Sequence, residues 1–280
     1  MIRKILFPVD FSLSCVAMAA YVQRAAALFG AEVTMVHVCD LASHNGFELY
    51  ARAPGDIAKE HLDIGRSRLQ LFLASEFPEA QCARILLAGE AATLITEFAK
   101  KNHFDLILMP THAGRFRRML LGSTTAKVLD NSDCPVLTML HSETIVPPSL
   151  EHKNWVCGVG STADSERVLC YARDAALAAG AKLSAIHVVQ SSEGGSNAQI
   201  SSEAERKAGN SLAELRDKAR LDGSVRIVVG PVKERLLDAT RQSSADLLVI
   251  GRGHHAGVLG RMRDLTYSLI RDAPCPVVSV

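Results

Sequence analysis

Net charge of either sign is what this sequence has least of. Lys plus Arg number 31 against 30 Asp plus Glu, a formal charge of +1, so no long-range field points to nucleic acid or an acidic membrane surface. No apolar run approaches the roughly 18 residues of a membrane-spanning helix. The N-terminus, MIRKILFPVD, enters a strand-like apolar run with no small-residue cleavage site, so no secretory signal is expected. Seven cysteines, an odd number without a Cys-x-x-Cys pair, do not form a disulfide framework or a zinc knuckle. Buried thiols in a reduced, cytoplasmic protein are expected instead. What remains is ordinary globular composition, 48% hydrophobic and 22% charged over 280 residues, a length that suits roughly two domains.

The chain is written twice. RKILFPVDFS (3–12) corresponds to NWVCGVGST (154–162), and AEVTMVHVCD (31–40) to AKLSAIHVVQ (181–190), with His37 and His187 at an offset of 150. Downstream, RILLAGE (84–90) matches RIVVGP (226–231), with Gly89 and Gly230 at an offset of 141. FDLILMPTH (104–112) matches ADLLVIGRG (245–253), and DCPVLTM (133–139) matches APCPVVSV (273–280), at that same offset. The second copy therefore lacks nine residues between its second and third strands, where SSEGGSN (191–197) replaces the longer 40–55 loop with its Phe47 and Tyr50. Between the copies, Pro147-Pro148 forbids helix and favours an extended spacer. The expected domains are 1–141 and 154–280, joined by a linker over 142–153.

Within the first copy, short Val-, Ile- and Leu-rich runs at 5–9, 33–38, 84–87, 106–109 and 136–139 lack strict alternation, as strands covered on both faces do. Helical spacing lies between them: 14–30 with a terminal Gly30, about 56–76, about 91–101, and a fourth helix opening at Ser123. Strand–helix alternation with short connections predicts right-handed βαβ units. The fold class is thus α/β, two tandem copies of a five-stranded open parallel sheet flanked by helices.

Such sheets bind ligands at the carboxyl ends of their strands, where the strand order reverses. In the first copy that rim receives Pro8, Val9, Asp10, Phe11 and Ser12 after strand one and Val38 at the end of strand two. It also receives residues 109–118 after strand four. The Gly122-Ser123-Thr124 turn opens the last helix, and its free N–H groups and positive dipole end suit phosphate. Asp10, the only acid at the strand-one rim, suits ribose hydroxyls, although it could equally cap the first helix near Ser12. Arg115, Arg117 and Arg118 read either as a phosphate clamp or as a solvated basic loop. His37 and His187 read as packed histidines. The adjacent pair His254-His255 lacks metal-ligand spacing, and no metal site is expected. Nothing cationic lies near Cys15 or Cys39 in sequence to activate either thiol.

These residues resemble the universal stress protein family in its tandem form. PTHAGRFRRMLLGSTTAKVLDNSDCPV (110–136) follows the family's signature of Gly-x-x-Gly, nine residues, Gly-Ser or Gly-Thr and a closing Pro-Cys-Pro-Val strand, and FPVDFS (7–12) resembles its opening Val-Asp-x-Ser. The resemblance implies an adenine-nucleotide-binding, alpha-hydrolase-like fold and an ATP or related adenine-nucleotide site, with Mg²⁺ as a companion ion. By position, Asp10 would take the ribose and Val38 would flank the adenine. Met109, Pro110, His112, Gly114 and Arg115 would lie along the ribose and phosphates, with Gly122, Ser123 and Thr124 at the terminal phosphates. It further implies a cytoplasmic stress-response protein whose two domains form an intramolecular pseudo-dimer, with room for a homodimer.

The first copy departs from the signature at Pro110, which stands where a glycine is usual, and in an interval to Gly122 one residue shorter. The second departs further. Gly160 stands in place of Asp10, and Arg263-Asp264 in place of Gly122-Ser123, which would set a carboxylate beside any phosphate. Three readings stay open: a nucleotide-binding regulator with a degenerate second domain, a nucleotide-free scaffold, and a slow ATP hydrolase. PVDFSLS (8–14) has no glycine, which disfavours synthetase-like folds with a Gly-Ser phosphate loop after strand one.

Overall fold

The computed structural model describes residues 2–40, 54–111, 121–139, 152–160, 164–190, 198–221, 225–252 and 259–280. The chain separates into two compact units, in the main residues 2–137 and 149–280. Pro147-Pro148, the 41–53 stretch with Phe47 and Tyr50, His112, Gly114, Arg115, Arg117, Arg118 and His254-His255 lie outside the described residues.

The first unit runs β1 (Lys4–Pro8), α1 (Leu13–Phe29), β2 (Glu32–Cys39), α2 (Pro54–Leu71), β3 (Cys82–Ala88), α3 (Ala91–Lys101), β4 (Leu106–Pro110), α4 (Ser123–Asn131) and β5 (Val136–Met139). Its strands lie in the order β3-β2-β1-β4-β5. Register pairs Ile5 with Val33 on one side and with Leu106 on the other, both parallel. The second unit runs β6 (Asn154–Val159), α5 (Ser165–Ala179), β7 (Lys182–Val189), α6 (Ala198–Lys218), β8 (Val225–Val229), α7 (Val232–Gln242), β9 (Leu247–Ile250), α8 (Leu259–Asp272) and β10 (Val277–Ser279). Its order, β10-β9-β6-β7-β8, is the same topology. Each unit is thus an open parallel sheet flanked by helices, as the strand–helix alternation predicts. Among the described residues, no helix is long and apolar enough to cross a membrane.

The lack of alternation in the strands has its cause in burial. Ile5, Leu6 and Phe7 are all fully buried although they point to opposite faces, each contributing about 1.5–3 kcal/mol of transfer free energy. Helix α1 starts where Ser12 Oγ accepts the Cys15 N–H at 3.3 Å, and it stops at Gly30, whose φ of 61° lets its N–H turn back to Ala26 O.

Two expectations need correcting. Helix α2 ends at Leu71, not near Glu76, because the Arg84 guanidinium reaches across from β3. It donates to the carbonyls of Leu69 at 2.6 Å and of Phe72 and Phe77 at 2.8 Å, and Leu73 turns to a φ of 51°. Arg226 is also not the equivalent of Arg84. His37 pairs with Leu86 and His187 with Ile227, so Arg226 corresponds to Ile85, and it is exposed.

At the amino ends of the strands the copies are near replicas. Asp105 Oδ2 accepts from the backbone N–H of Arg3 at 2.8 Å and Lys4 at 3.0 Å. Asp246 Oδ2 does the same for Lys153 at 2.6 Å and Asn154 at 2.8 Å. At the carboxyl ends of the outer strands one feature is also kept: Gly89 and Gly230 share φ values of 141° and 140° and equal 3.0 Å hydrogen bonds to Cys39 O and Val189 O. The copies part company at the carboxyl ends of the central strands.

Candidate functional site

In the first unit, β1 leads to β2 on one side and pairs with β4 on the other, so the strand order reverses beside β1. A cavity of ≈ 240 Å³ opens there. It brings together nine of the residues expected from sequence: Pro8 at the end of β1 with Val9 and Asp10 just after it, Val38 from β2, Met109 and Pro110 from β4, and Gly122, Ser123 and Thr124 at the start of α4. Val9, Met109 and Pro110 are buried, Val38 is half-buried, and Asp10 and Ser123 are exposed.

Phe11 and Ser12 sit beside the cavity and do not line it. Ser12 is the N-cap of α1. Phe11 adopts a φ of 63°, which reverses the chain after Asp10. Its ring lies 4.2 Å from the His37 ring and 5.2 Å from that of Phe72, with the Arg68 guanidinium 4.4 Å from its centroid. The turn brings the Ser12 N–H back to Asp10 Oδ1 at 3.0 Å. Asp10 therefore positions the N-cap, which is Ser12 itself, while its exposed carboxylate lines the cavity.

On the opposite wall, Gly122 is the N-cap of α4 and has no side chain to satisfy the first turn. The N–H groups of Ser123, Thr124 and Thr125 are the donors a helix start leaves without an intrahelical partner, here at the positive end of the dipole. The Gly122 φ is −61°, a conformation any residue adopts. Glycine matters here for its missing side chain rather than for backbone freedom. Its N–H donates to Thr111 O at 2.7 Å, and Thr125 Oγ1 donates to Pro110 O at 3.0 Å. Both bonds fix the turn to the end of β4.

The cavity also takes Cys15, Val36, His37, Ala91, Ile95 and Thr125, which reading the sequence did not assign to it. His37 had a signal, its place next to Val38 at the end of a strand. Its Nδ1 lies 2.7 Å from Val9 O and must donate to that carbonyl, which leaves Nε2 as the acceptor of the neutral ring. Burial holds its pKa below the usual histidine value. His187 repeats the bond, with Nδ1 2.8 Å from Val159 O. Ala91 and Ile95 gave no local signal, because only the packing of α3 against the rim brings them in.

In the second unit the described positions equivalent to parts of this rim lie close against their neighbours. Gly158 and Gly251 stand where the first unit has Pro8 and Pro110. A Cβ at Gly158 would come 3.1 Å from Leu236, and one at Gly251 3.0 Å from Val168. Arg252, at the place of Thr111, is buried, with Nη2 donating to Ser279 O at 2.9 Å. Helices α4 and α8 end at equivalent positions, Asn131 and Asp272, yet α8 has 14 residues against 9. Arg263 and Asp264 therefore lie within α8, where their N–H groups face the preceding helical turn and not a ligand.

Two open parallel α/β domains in tandem, the first with a cavity at its strand-order reversal, define the class of protein. The chain belongs to the universal stress protein family, whose model matches residues 1–139 and 151–280. A universal stress protein of Methanocaldococcus jannaschii is 32% identical over 142 residues, 49% of this chain and 81% of that protein. One of Mycobacterium tuberculosis is 26% identical over 184 residues, 63% of this chain and 62% of its own length. The crystal structure of a universal stress protein from Archaeoglobus fulgidus shares the fold at a TM-score of 0.66 and 22% identity, over 99% of this chain and 95% of that one.

Proposed function

We propose that this protein is a cytoplasmic stress-response regulator whose first domain, within residues 1–141, binds ATP or a related adenine nucleotide. The second domain, residues 154–280 after a 142–153 linker, is its degenerate partner in an intramolecular pseudo-dimer. One observation carries the reading: an apolar wall, a carboxylate and an uncapped helix start face the same cavity. Val9, Val38, Ile95 and Met109 suit the faces of a purine. The Asp10 carboxylate accepts from ribose hydroxyls. The N–H groups and hydroxyls of Ser123 and Thr124 suit phosphate oxygens. A volume of ≈ 240 Å³ falls just under the roughly 300 Å³ lower bound of ligand pockets, so the nucleoside fills it and the phosphates extend along the rim. Among the described residues lining the cavity Asp10 is the one acid, so Mg²⁺ would be carried by phosphate oxygens and water rather than by a carboxylate cage. With no second carboxylate among those described residues to act as a base, the reading is binding, and turnover is left to the phosphate-release test.

Calorimetric titration of ATP with Mg²⁺ tests it. The wild type is expected to take one equivalent per chain, and a Gly122→Asp/Ser123→Ala variant none. Two equivalents would mean that the second domain also binds. No binding would leave a scaffold and reduce the Gly-Ser turn to a helix start. Phosphate release that disappears in Ser123→Ala would establish hydrolysis.

A further inference from the structure

The cavity holds a group that the nucleotide reading leaves unused. Cys15 is 1% exposed, and its Sγ lies 3.2 Å from Asp10 Oδ1. That oxygen also accepts the Ser12 N–H at 3.0 Å, while Ser12 Oγ accepts the Cys15 N–H at 3.3 Å. Asp10, Ser12 and Cys15 thus close a ring of three hydrogen bonds around one carboxylate oxygen. We infer that Cys15 is a positioning residue, whose S–H donates to Asp10 and fixes the direction in which the carboxylate faces the cavity.

The alternative acceptor, Pro8 O, is 4.0 Å from the sulfur, well beyond the distance to Asp10. Burial, with the Asp10 charge second, pushes the thiol up to about 12. The proton therefore stays on sulfur at neutral pH, and Cys15 is a donor, not a second anion beside the carboxylate. An exposed aspartate on a turn otherwise samples several side-chain rotamers. Two donors on the same oxygen select one of them and leave Oδ2 as the natural acceptor for a ligand hydroxyl. The second copy breaks the arrangement at the acid, with Gly160 at the place of Asp10. Ser165, buried at the place of Cys15, shows that a hydroxyl fits this position in the fold.

The consequence for affinity rests on the proposed nucleotide site, whereas the hydrogen bond itself does not, so two readouts are needed. The first is the infrared S–H stretch of Cys15, isolated as the difference between wild type and Cys15→Ala. It is expected to rise in frequency in Asp10→Ala, as donation to a carboxylate is lost. The second is ATP affinity by calorimetry. Cys15→Ala is expected to weaken binding about tenfold, the scale of one charge-assisted hydrogen bond. Cys15→Ser is expected to recover most of that loss. An S–H band that does not move in Asp10→Ala overturns the inference. Equal weakening in Cys15→Ala and Cys15→Ser also overturns it, since that outcome marks cavity packing. A wild type that binds no ATP overturns the nucleotide reading alone, and the infrared result then decides the role of Cys15.

Discussion

Phe11 shows how much a single residue can conceal in a sequence. It stands between Asp10 and Ser12, and nothing in the letters distinguishes it from a residue at the ligand rim. Its φ of 63° costs a residue with a Cβ about 1 kcal/mol or more, and the contacts with His37, Phe72 and Arg68 offset that cost. Truncation should separate the two effects. Phe11→Ala loses the ring and keeps the backbone strain, whereas Phe11→Gly loses the ring and relieves the strain. Urea denaturation should find the alanine variant less stable than the glycine variant by about 1 kcal/mol, the reverse of the usual order. Equal stabilities would show that the turn relaxes once the ring is gone. Glu90 offers a second test at this scale. The Thr93 backbone N–H, with Lys127 next, lowers its pKa to about 2. A folded-state pKa below the unfolded value gives stability at pH above about 4.5 that is lost as pH falls towards 2. The stability difference between wild type and Glu90→Gln should therefore be constant near neutrality and vanish across that acid window.

At the scale of elements, strand and helix identity was legible because burial on both faces leaves short apolar runs and helices leave a periodicity. Element ends were legible only where the stop is local. Gly30 and Gly180 announce theirs, since a left-handed cap needs little beyond glycine. The end of α2 is set from a strand more than ten residues away, by Arg84, so periodicity overran it. The paired letters RI at 84 and 226 invited an equivalence that the strand register denies, because a shift of one residue moves a side chain to the opposite face. Substitution should tell the two arginines apart. Arg84→Met leaves three carbonyls without their charged donor and should cost about 2–3 kcal/mol, whereas Arg226→Met at an exposed position should stay within about 0.5 kcal/mol. Similar losses at both sites would return Arg226 to the role of Arg84.

Across the whole molecule, duplication made the candidate site readable, because it supplies a comparison inside one chain. Hydrogen bonds at the amino ends of the strands survive in both copies and speak for folding. The carboxyl rim differs in Asp10 and Gly160, in Thr111 and Arg252, and in where α4 and α8 begin. The loss of acid and turn could be read from letters alone. That Leu236 and Val168 lie against Gly158 and Gly251, and that α8 takes Arg263-Asp264 into its length, could not, since both depend on how helices settle on the sheet. The asymmetry has a thermodynamic consequence. A ligand that binds only the folded first domain stabilises it by RT ln(1 + [L]/Kd), about 2.7 kcal/mol at a hundredfold excess over Kd. Native-state hydrogen exchange with ATP and Mg²⁺ at that excess should then slow the most protected amides of β1, β2 and β4 about 100-fold. Those of β6, β7 and β9 should exchange at their unliganded rates. Equal slowing in both sets would mean either a second nucleotide or a single cooperative unit. The calorimetric stoichiometry separates those two outcomes, and one equivalent with equal slowing would make the second domain a stability partner of the first.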